Sequence, residues 1–99
     1  MRMMLKVVIP AGAGNRAVRD GTLPRTIKET MDRLDPEASY FFAEDGKRTA
    51  LFFFDLQDAS QVPIIVEPLF MGMDAAVTIV PAMNAADLEK GLTVAAKNF

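Results

Sequence analysis

Residues 40–55 read YFFAEDGKRTALFFFD, in which two aromatic runs flank the dipeptide Asp45-Gly46. Asp-Gly tolerates the positive φ angles of a two-residue hairpin turn, and aromatic residues favour strands because they pack well on a pleated surface. The segment therefore predicts a β-hairpin, with one strand near Ala38–Glu44 and the next near Arg48–Asp55.

The rest of the chain supplies two further strands and the helices. An apolar run over Met3–Ile9, stopped by Pro10, has the length and composition of a central strand buried on both faces. Residues 11–14, Ala-Gly-Ala-Gly, are expected to form the loop that follows. A helical region is predicted over Asn15–Leu34, with a break at Gly21 and a restart capped by Thr22. A second helix is opened by a capping box at Asp58–Gln61 and is kinked or ended by Pro68. A strand over Asp74–Val80 and a short C-terminal helix capped by Asn84–Asp87 complete the chain.

The order of these elements is β-α-β-β-α-β followed by a helix, which is the split βαβ pattern of α+β, ferredoxin-like folds. It predicts one domain over residues 1–99, with a four-stranded antiparallel sheet and the first and third strands in its centre. The C-terminal helix presents Leu88, Leu92, Ala95 and Phe99 on one side. We expect that side to pack on the body of the domain or on a partner.

In this element order the chain resembles the dimeric α+β barrel superfamily over nearly its whole length. The passage VPAMNAADL at residues 80–88, where the last strand runs into the C-terminal helix, also resembles the corresponding passage of small uncharacterised members. The resemblance implies a homodimer in which two sheets face each other around an interior cavity.

Composition excludes several classes of function. The 99 residues are 51% hydrophobic and carry 11 basic and 13 acidic side chains, a net charge of -2, so a nucleic-acid or anionic-membrane partner is not expected. The chain has no Cys and no His, which removes disulfides, thiolate nucleophiles, imidazole acid–base chemistry and the usual zinc ligands. We expect neither a cofactor nor a metal site, since the oxygen ligands of Asp55, Gln57 and Asp58 come from too short a segment to surround a cation.

The N-terminal segment MRMMLKVVIPAGAG is not expected to be a signal peptide, because Lys6 divides its apolar run into pieces that are too short. We therefore expect a cytoplasmic protein.

The alternation of strand residues assigns side chains to the two faces of the predicted sheet. A two-residue turn pairs Glu44 with Lys47, Phe42 with Thr49 and Tyr40 with Leu51, whereas one extra turn residue would exchange the faces. The apolar set expected against the helices is Met3, Leu5, Val7, Ile9, Phe41, Ala50, Phe52 and Phe54. The opposite, open face carries the candidate ligand-binding residues Lys6, Tyr40, Phe42, Phe53 and Asp55.

Lys6 is the only charged residue in the predicted central strand Met3–Ile9. An ammonium group there needs a carboxylate, access to solvent or an anionic ligand. Asp55 on the neighbouring strand is its expected partner. A structural ion pair and a ligand-binding role for Lys6 both stay open at this point.

Residues 12–17, GAGNRA, match the glycine-rich dinucleotide fingerprint, but Pro10 precedes them and the next strand forms a hairpin instead of a βαβ crossover. We interpret these glycines as a tight strand-to-helix turn. The hypothesis that follows is a dimeric binding or structural module for an apolar or weakly acidic ligand. The alternative is a cofactor-independent monooxygenase, isomerase or cyclase in which Lys6, Tyr40 and Asp55 position and deprotonate a substrate.

Overall fold

A four-stranded antiparallel sheet forms the centre of the computed structural model, which describes all 99 residues. Its strands are β1 (Arg2–Ile9), β2 (Ala38–Glu44), β3 (Lys47–Asp55) and β4 (Ala76–Pro81). Their order across the sheet is β2-β3-β1-β4, so β1 and β3 are central, as predicted. The protein is therefore an α+β domain whose first strand pairs on both of its edges.

Four helices accompany the sheet. They are α1 (Ala11–Asp20), α2 (Thr22–Leu34), α3 (Val62–Met73) and α4 (Ala85–Ala95), with single turns of 3-10 helix over Ala59–Gln61 and Ala96–Asn98. None of them has the length and apolar character that crossing a membrane requires.

The hairpin has the predicted turn and the predicted register. Glu44 pairs with Lys47, Phe42 with Thr49 and Tyr40 with Leu51. Asp45 and Gly46 have φ angles of 53° and 72°, as a two-residue turn with two left-handed residues requires. The register therefore confirms the assignment of side chains to the two faces. Phe41 lies on the helix side as expected but is 53% exposed, because it belongs to the edge strand β2.

The expected loop at residues 11–14 is wrong, because α1 begins at Ala11 directly after Pro10. Gly14 lies inside this helix, close to the sheet, and does not form a turn. A Cβ at Gly14 would lie 2.7 Å from Nη1 of Arg48 and 3.2 Å from Cγ2 of Ile9. The missing side chain therefore lets the first turn of α1 approach the sheet.

The break between the first two helices lies at Gly21, which has a φ of 82°. Thr22 does not cap the restart as expected. It is the first residue of α2, and its backbone N–H donates to Oδ1 of Asp20 at 2.9 Å.

The predicted capping box before α3 is present. The Asp58 side chain accepts from the backbone N–H of Ser60, and the Gln61 side chain reaches back to the N–H of Asp58. The helix continues through Pro68 to Met73. Pro68 is exposed, so the missing backbone hydrogen bond falls on the side of α3 that water reaches.

Helices α1, α2 and α3 cover one face of the sheet and form the core with it. The largest side chains that are fully buried there are Phe52, Leu5, Leu69, Met73 and Val7. The opposite face has no covering element, and Met4, Lys6 and Val8 on it are half-buried. The expectation that β1 is buried on both faces is therefore wrong for a single chain.

Helix α4 extends away from the body. None of its residues is buried, and Leu88, Leu92 and Phe99 are exposed. The molecule measures 55 × 29 × 18 Å with a radius of gyration of 15.9 Å. A compact domain of this length has a radius of gyration of about 13 Å.

Candidate functional site

The open face of the sheet, defined here as the side opposite α1–α3, carries the candidate ligand-binding residues. Antiparallel pairing arranges its side chains in rows that run across the strands. The central row is Tyr40, Leu51, Lys6 and Thr78, and the rows beside it are Ala38, Phe53, Met4 and Val80 on one side and Phe42, Thr49, Val8 and Ala76 on the other. Lys6 is therefore a single cation within a mainly apolar surface.

Lys6 forms an ion pair with a residue other than the expected one. Its Nζ lies 2.7 Å from Oε1 of Glu44, and both side chains are partly exposed. The pair runs diagonally across β3, and Thr49, which lies between the two residues in the register, is only 4% exposed. The predicted Lys6–Asp55 pair is wrong because Asp55 pairs in the register with Arg2, four residues from Lys6 along β1.

Asp55 lies at the end of the sheet and is engaged by other groups. Its Oδ1 accepts from the Met1 ammonium at 2.6 Å, and its Oδ2 accepts from Nε2 of Gln57. The hydrogen bond and charge of that ammonium, followed by the Gln57 hydrogen bond and the charge of Arg2, hold the pKa of Asp55 below its ordinary value. Asp55 is thus an ionised carboxylate with partners of its own.

The three aromatic candidates lie on the open face as predicted, in three different rows. Tyr40 is 58% exposed. Tyr40 and Lys6 share the central row, but Leu51 lies between them, so their backbones are about 10 Å apart. Phe42 is exposed on the edge strand, while Phe53 is half-buried beside Met4.

Sequence reasoning missed Glu44 as part of this site. Glu44 lies two residues beyond Phe42 on the same strand, and therefore on the open face with Lys6. Extending the alternation by one step would have identified it as a carboxylate within reach of Lys6. Met4, Val8, Leu51 and Val80 complete the apolar surface.

Gly12 and Gly14 form no phosphate-binding loop. Both lie in the first turns of α1, and neither has a positive φ. No group of three or more acidic side chains is close enough together to hold a metal ion.

A second concave region lies away from the open face. It is a groove of about 440 Å³ between the C-terminal end of α2, the end of β3 and the start of α3, with Leu34, Phe54 and Ile65 among its lining residues. Arg33 and Asp35 also line it, and Nη1 of Arg33 donates to the Ile64 carbonyl at 3.4 Å. No buried side-chain polar atom lacks a partner anywhere in the chain, so no polar group in this groove requires a ligand.

No protein-family model matches the sequence, and a search of curated proteins found no match. The assignment of function therefore depends on the geometry of the chain itself.

Proposed function

We propose that the protein is a homodimeric binding module of the dimeric α+β barrel type, built from ferredoxin-like subunits. Two open faces oppose each other and enclose a small apolar or weakly acidic ligand. The observation that carries this proposal is the open face itself, an apolar sheet surface with one lysine near its centre and no covering element in the chain.

The strand order supports the ferredoxin-like assignment, since β1 and β3 are central and helices connect β1 to β2 and β3 to β4. Contiguous apolar patches are seldom left in water by monomeric proteins. The alternating burial along β1 leaves a half-buried set of side chains, Met4, Lys6 and Val8, that a second sheet would cover.

Lys6 and Glu44 determine the ligand chemistry. In the free chain the Glu44 carboxylate accepts from the Lys6 ammonium at 2.7 Å. A ligand with an acidic group would take the place of this carboxylate, while its apolar part would contact Met4, Leu51 and Phe53. The affinity would then come mainly from apolar contact and the orientation from one charged hydrogen bond.

The enzymatic alternative receives less support from the geometry. It needs Lys6, Tyr40 and Asp55 around one substrate, yet Asp55 lies at the end of the sheet with the Met1 ammonium and Gln57 as partners. Acid–base groups must lie within hydrogen-bond reach of one reacting atom. A cofactor-independent oxygenase, isomerase or cyclase is therefore the second choice.

Two measurements test the proposal. Sedimentation at micromolar concentration should show a dimer. Mass spectrometry of small molecules released from protein purified from cells should find a ligand in the wild type and much less of it in a folded Lys6→Met variant, because the charged hydrogen bond is lost. Glu44→Gln should retain or increase the ligand, since the competing carboxylate is removed.

Lys28→Met is the matched control, because Lys28 pairs with Asp32 on the exposed side of α2, away from the open face. It should release as much ligand as the wild type. Equal recovery from wild type and Lys6→Met would remove Lys6 from the site, and a monomeric wild-type protein would contradict the dimer.

A further inference from the structure

We propose that α4 is a dimerisation arm, whose apolar stripe packs on the open face of a second copy of this chain beside Tyr40 and Phe42. The stripe consists of Leu88, Leu92, Ala95 and Phe99. This inference rests on the homodimer proposed above and names the segment that holds it together.

The stripe lacks a partner within its own chain. Leu88 and Leu92 lie on one side of α4 and are exposed, and Phe99, which follows the 3-10 turn Ala96–Asn98, is exposed as well. Helix α4 makes no extended contact with the sheet or with α1–α3. A capping box starts the helix, since Asn84 accepts from the N–H of Asp87 at 2.8 Å and Asp87 accepts from the N–H of Asn84 at 3.1 Å. The helix is therefore well formed although it buries nothing, which is typical of a segment that packs on another molecule.

The accessible surface of the chain is larger than that of a typical monomeric protein of the same mass. The excess is close to the area that one subunit buries in a standard dimer. Its accessible surface is 6459 Å². A folded monomer of 10.8 kDa exposes about 5,500 Å², so the excess is about 900 Å². A standard protein–protein interface buries about 800 Å² per partner.

The exposed apolar side chains also favour a second copy as the occupant. Seven of the fourteen large apolar side chains that are exposed lie on the open face, on the passage from β4 to α4 and on the stripe, namely Tyr40, Phe42, Val80, Met83, Leu88, Leu92 and Phe99. Each chain thus carries an uncovered sheet face and an uncovered helical stripe. In a two-fold pair, each arm would cover the β2 edge of the other copy's open face, while the centres of the two sheets oppose each other around the ligand.

The dimensions and the anchor of α4 fit this arrangement. Eleven helical residues span about 16 Å, and β2, the edge strand that carries Tyr40 and Phe42, has seven residues and spans about 20 Å from its first to its last residue. At its start, α4 is tied to the sheet by Arg2, whose Nη1 donates to Asp87 at 2.8 Å while its Nε donates to Glu37 at 2.6 Å. These two ion pairs hold the start of α4 at the end of the sheet.

Two substitutions of equally exposed residues test the arm. Leu92 and Val94 are each 58% exposed, but Val94 lies on the side of α4 opposite the stripe. By sedimentation equilibrium, Leu92→Asp should weaken dimerisation at least about 100-fold, because two leucine contacts, each worth about tenfold, are lost per dimer. Val94→Asp should change it less than about threefold, since the introduced carboxylate stays in water.

The results separate this inference from the proposed function. A wild-type dimer that Leu92→Asp leaves unchanged overturns the arm and leaves the face-to-face dimer standing. A monomeric wild-type chain overturns both. Circular dichroism checks that each variant is folded. If Leu92→Asp is unfolded, Leu88→Asp is used for the same test.

Disulfide cross-linking tests where the arm lies, since the chain contains no cysteine of its own. Chains that carry only Leu92→Cys are mixed with chains that carry only Tyr40→Cys, and in a second mixture Val94→Cys replaces Leu92→Cys. The mixed disulfide should form at least several-fold faster in the first mixture. Equal rates overturn the docking position. A Leu92→Cys, Tyr40→Cys double variant that closes a disulfide within one monomer overturns the arm, because α4 then folds onto its own sheet.

Discussion

The two faces of the sheet differ in how much of their apolar surface a single chain covers. Leu5 on the helix-covered face is fully buried, whereas its neighbour Lys6 on the open face is partly exposed. Met4, the other neighbour of Leu5, is apolar and still only half-buried on the open face, so hydrophobicity alone does not separate the two faces. The difference shows that burial follows the position of α1–α3. In the proposed dimer, a second copy would cover the open face.

The largest expected effect comes from replacing adjacent phenylalanines on the two faces. Phe52 is fully buried against the helices, while Phe53 is half-buried on the open face. Phe52→Ala should lower the free energy of unfolding by about 3–5 kcal/mol. Phe53→Ala should lower it by about 1 kcal/mol when the protein is dilute enough to be monomeric, because only part of its area leaves water on folding.

Urea denaturation at several protein concentrations measures both variants. The loss for Phe53→Ala should grow with protein concentration, as the dimer contributes, and the loss for Phe52→Ala should be large throughout. Equal losses of unfolding free energy in dilute protein would mean that the two faces are equally buried, which would contradict the difference between them.

The turn that determines which residues lie on each face gives the next effect. Gly46 has a φ of 72°, so Gly46→Val should destabilise the chain by more than about 1 kcal/mol, since a β-branched residue is strained there. Gly46→Asn is the control and should cost only a few tenths of a kcal/mol, roughly, because Asn tolerates left-handed φ angles. Thermal denaturation distinguishes the two, and an unchanged midpoint for Gly46→Val would place the turn elsewhere.

Removing the charge of Lys6 should have little effect on the stability of the chain when it is dilute and monomeric. Lys6 and Glu44 are both partly exposed, and exposed ion pairs contribute about 0–1 kcal/mol. Lys6→Met should therefore change the unfolding free energy of the monomer by less than about 1 kcal/mol, as measured in urea. A much larger loss of unfolding free energy would show that the Lys6–Glu44 pair belongs to the core of a single chain. The open face would then be buried within one chain, as the covered face is.

The smallest expected effect concerns the start of α3, which packs on the covered face. Hydrogen bonds from the Ser60 side chain and backbone lower the pKa of Asp58 below its ordinary 3.8. This stabilisation is complete above that ordinary value and is lost as the pH falls through the lower pKa of the folded state. The wild type should therefore lose stability more steeply than Asp58→Asn below about pH 4.

Asn keeps a capping oxygen but does not titrate, so the other carboxylates contribute equally to both proteins and cancel in the comparison. Parallel acid-dependent urea curves for the two proteins would contradict a role for the ionised Asp58 cap.

Local signals predicted much of the fold. Asp45-Gly46 determines a hairpin whose register follows from the turn alone, and the capping residues Asp58 and Asn84 begin helices where expected. The glycines at 12 and 14 were misread because a helix and a loop can both contain glycine at such positions. Only the approach of α1 to Ile9 and Arg48 explains Gly14.

The candidate site was predicted only in part. Alternation with a period of two was enough to assign Lys6, Tyr40, Phe42 and Phe53 to one face, since it depends only on neighbours along the chain. The partner of Lys6 was not predictable in the same way. The diagonal to Glu44 crosses an intervening strand, so it depends on strand order and on the length of two flexible side chains.

The sequence by itself determined the hairpin, the register and the two faces, because each of these follows from interactions between residues that are close along the chain. Only the tertiary structure decided where α4 starts relative to the sheet, since Arg2, Glu37 and Asp87 come from three distant segments that meet at one end of the sheet. It likewise decided that the open face stays uncovered, because which surface a helix packs on depends on the sum of all contacts and not on any local pattern.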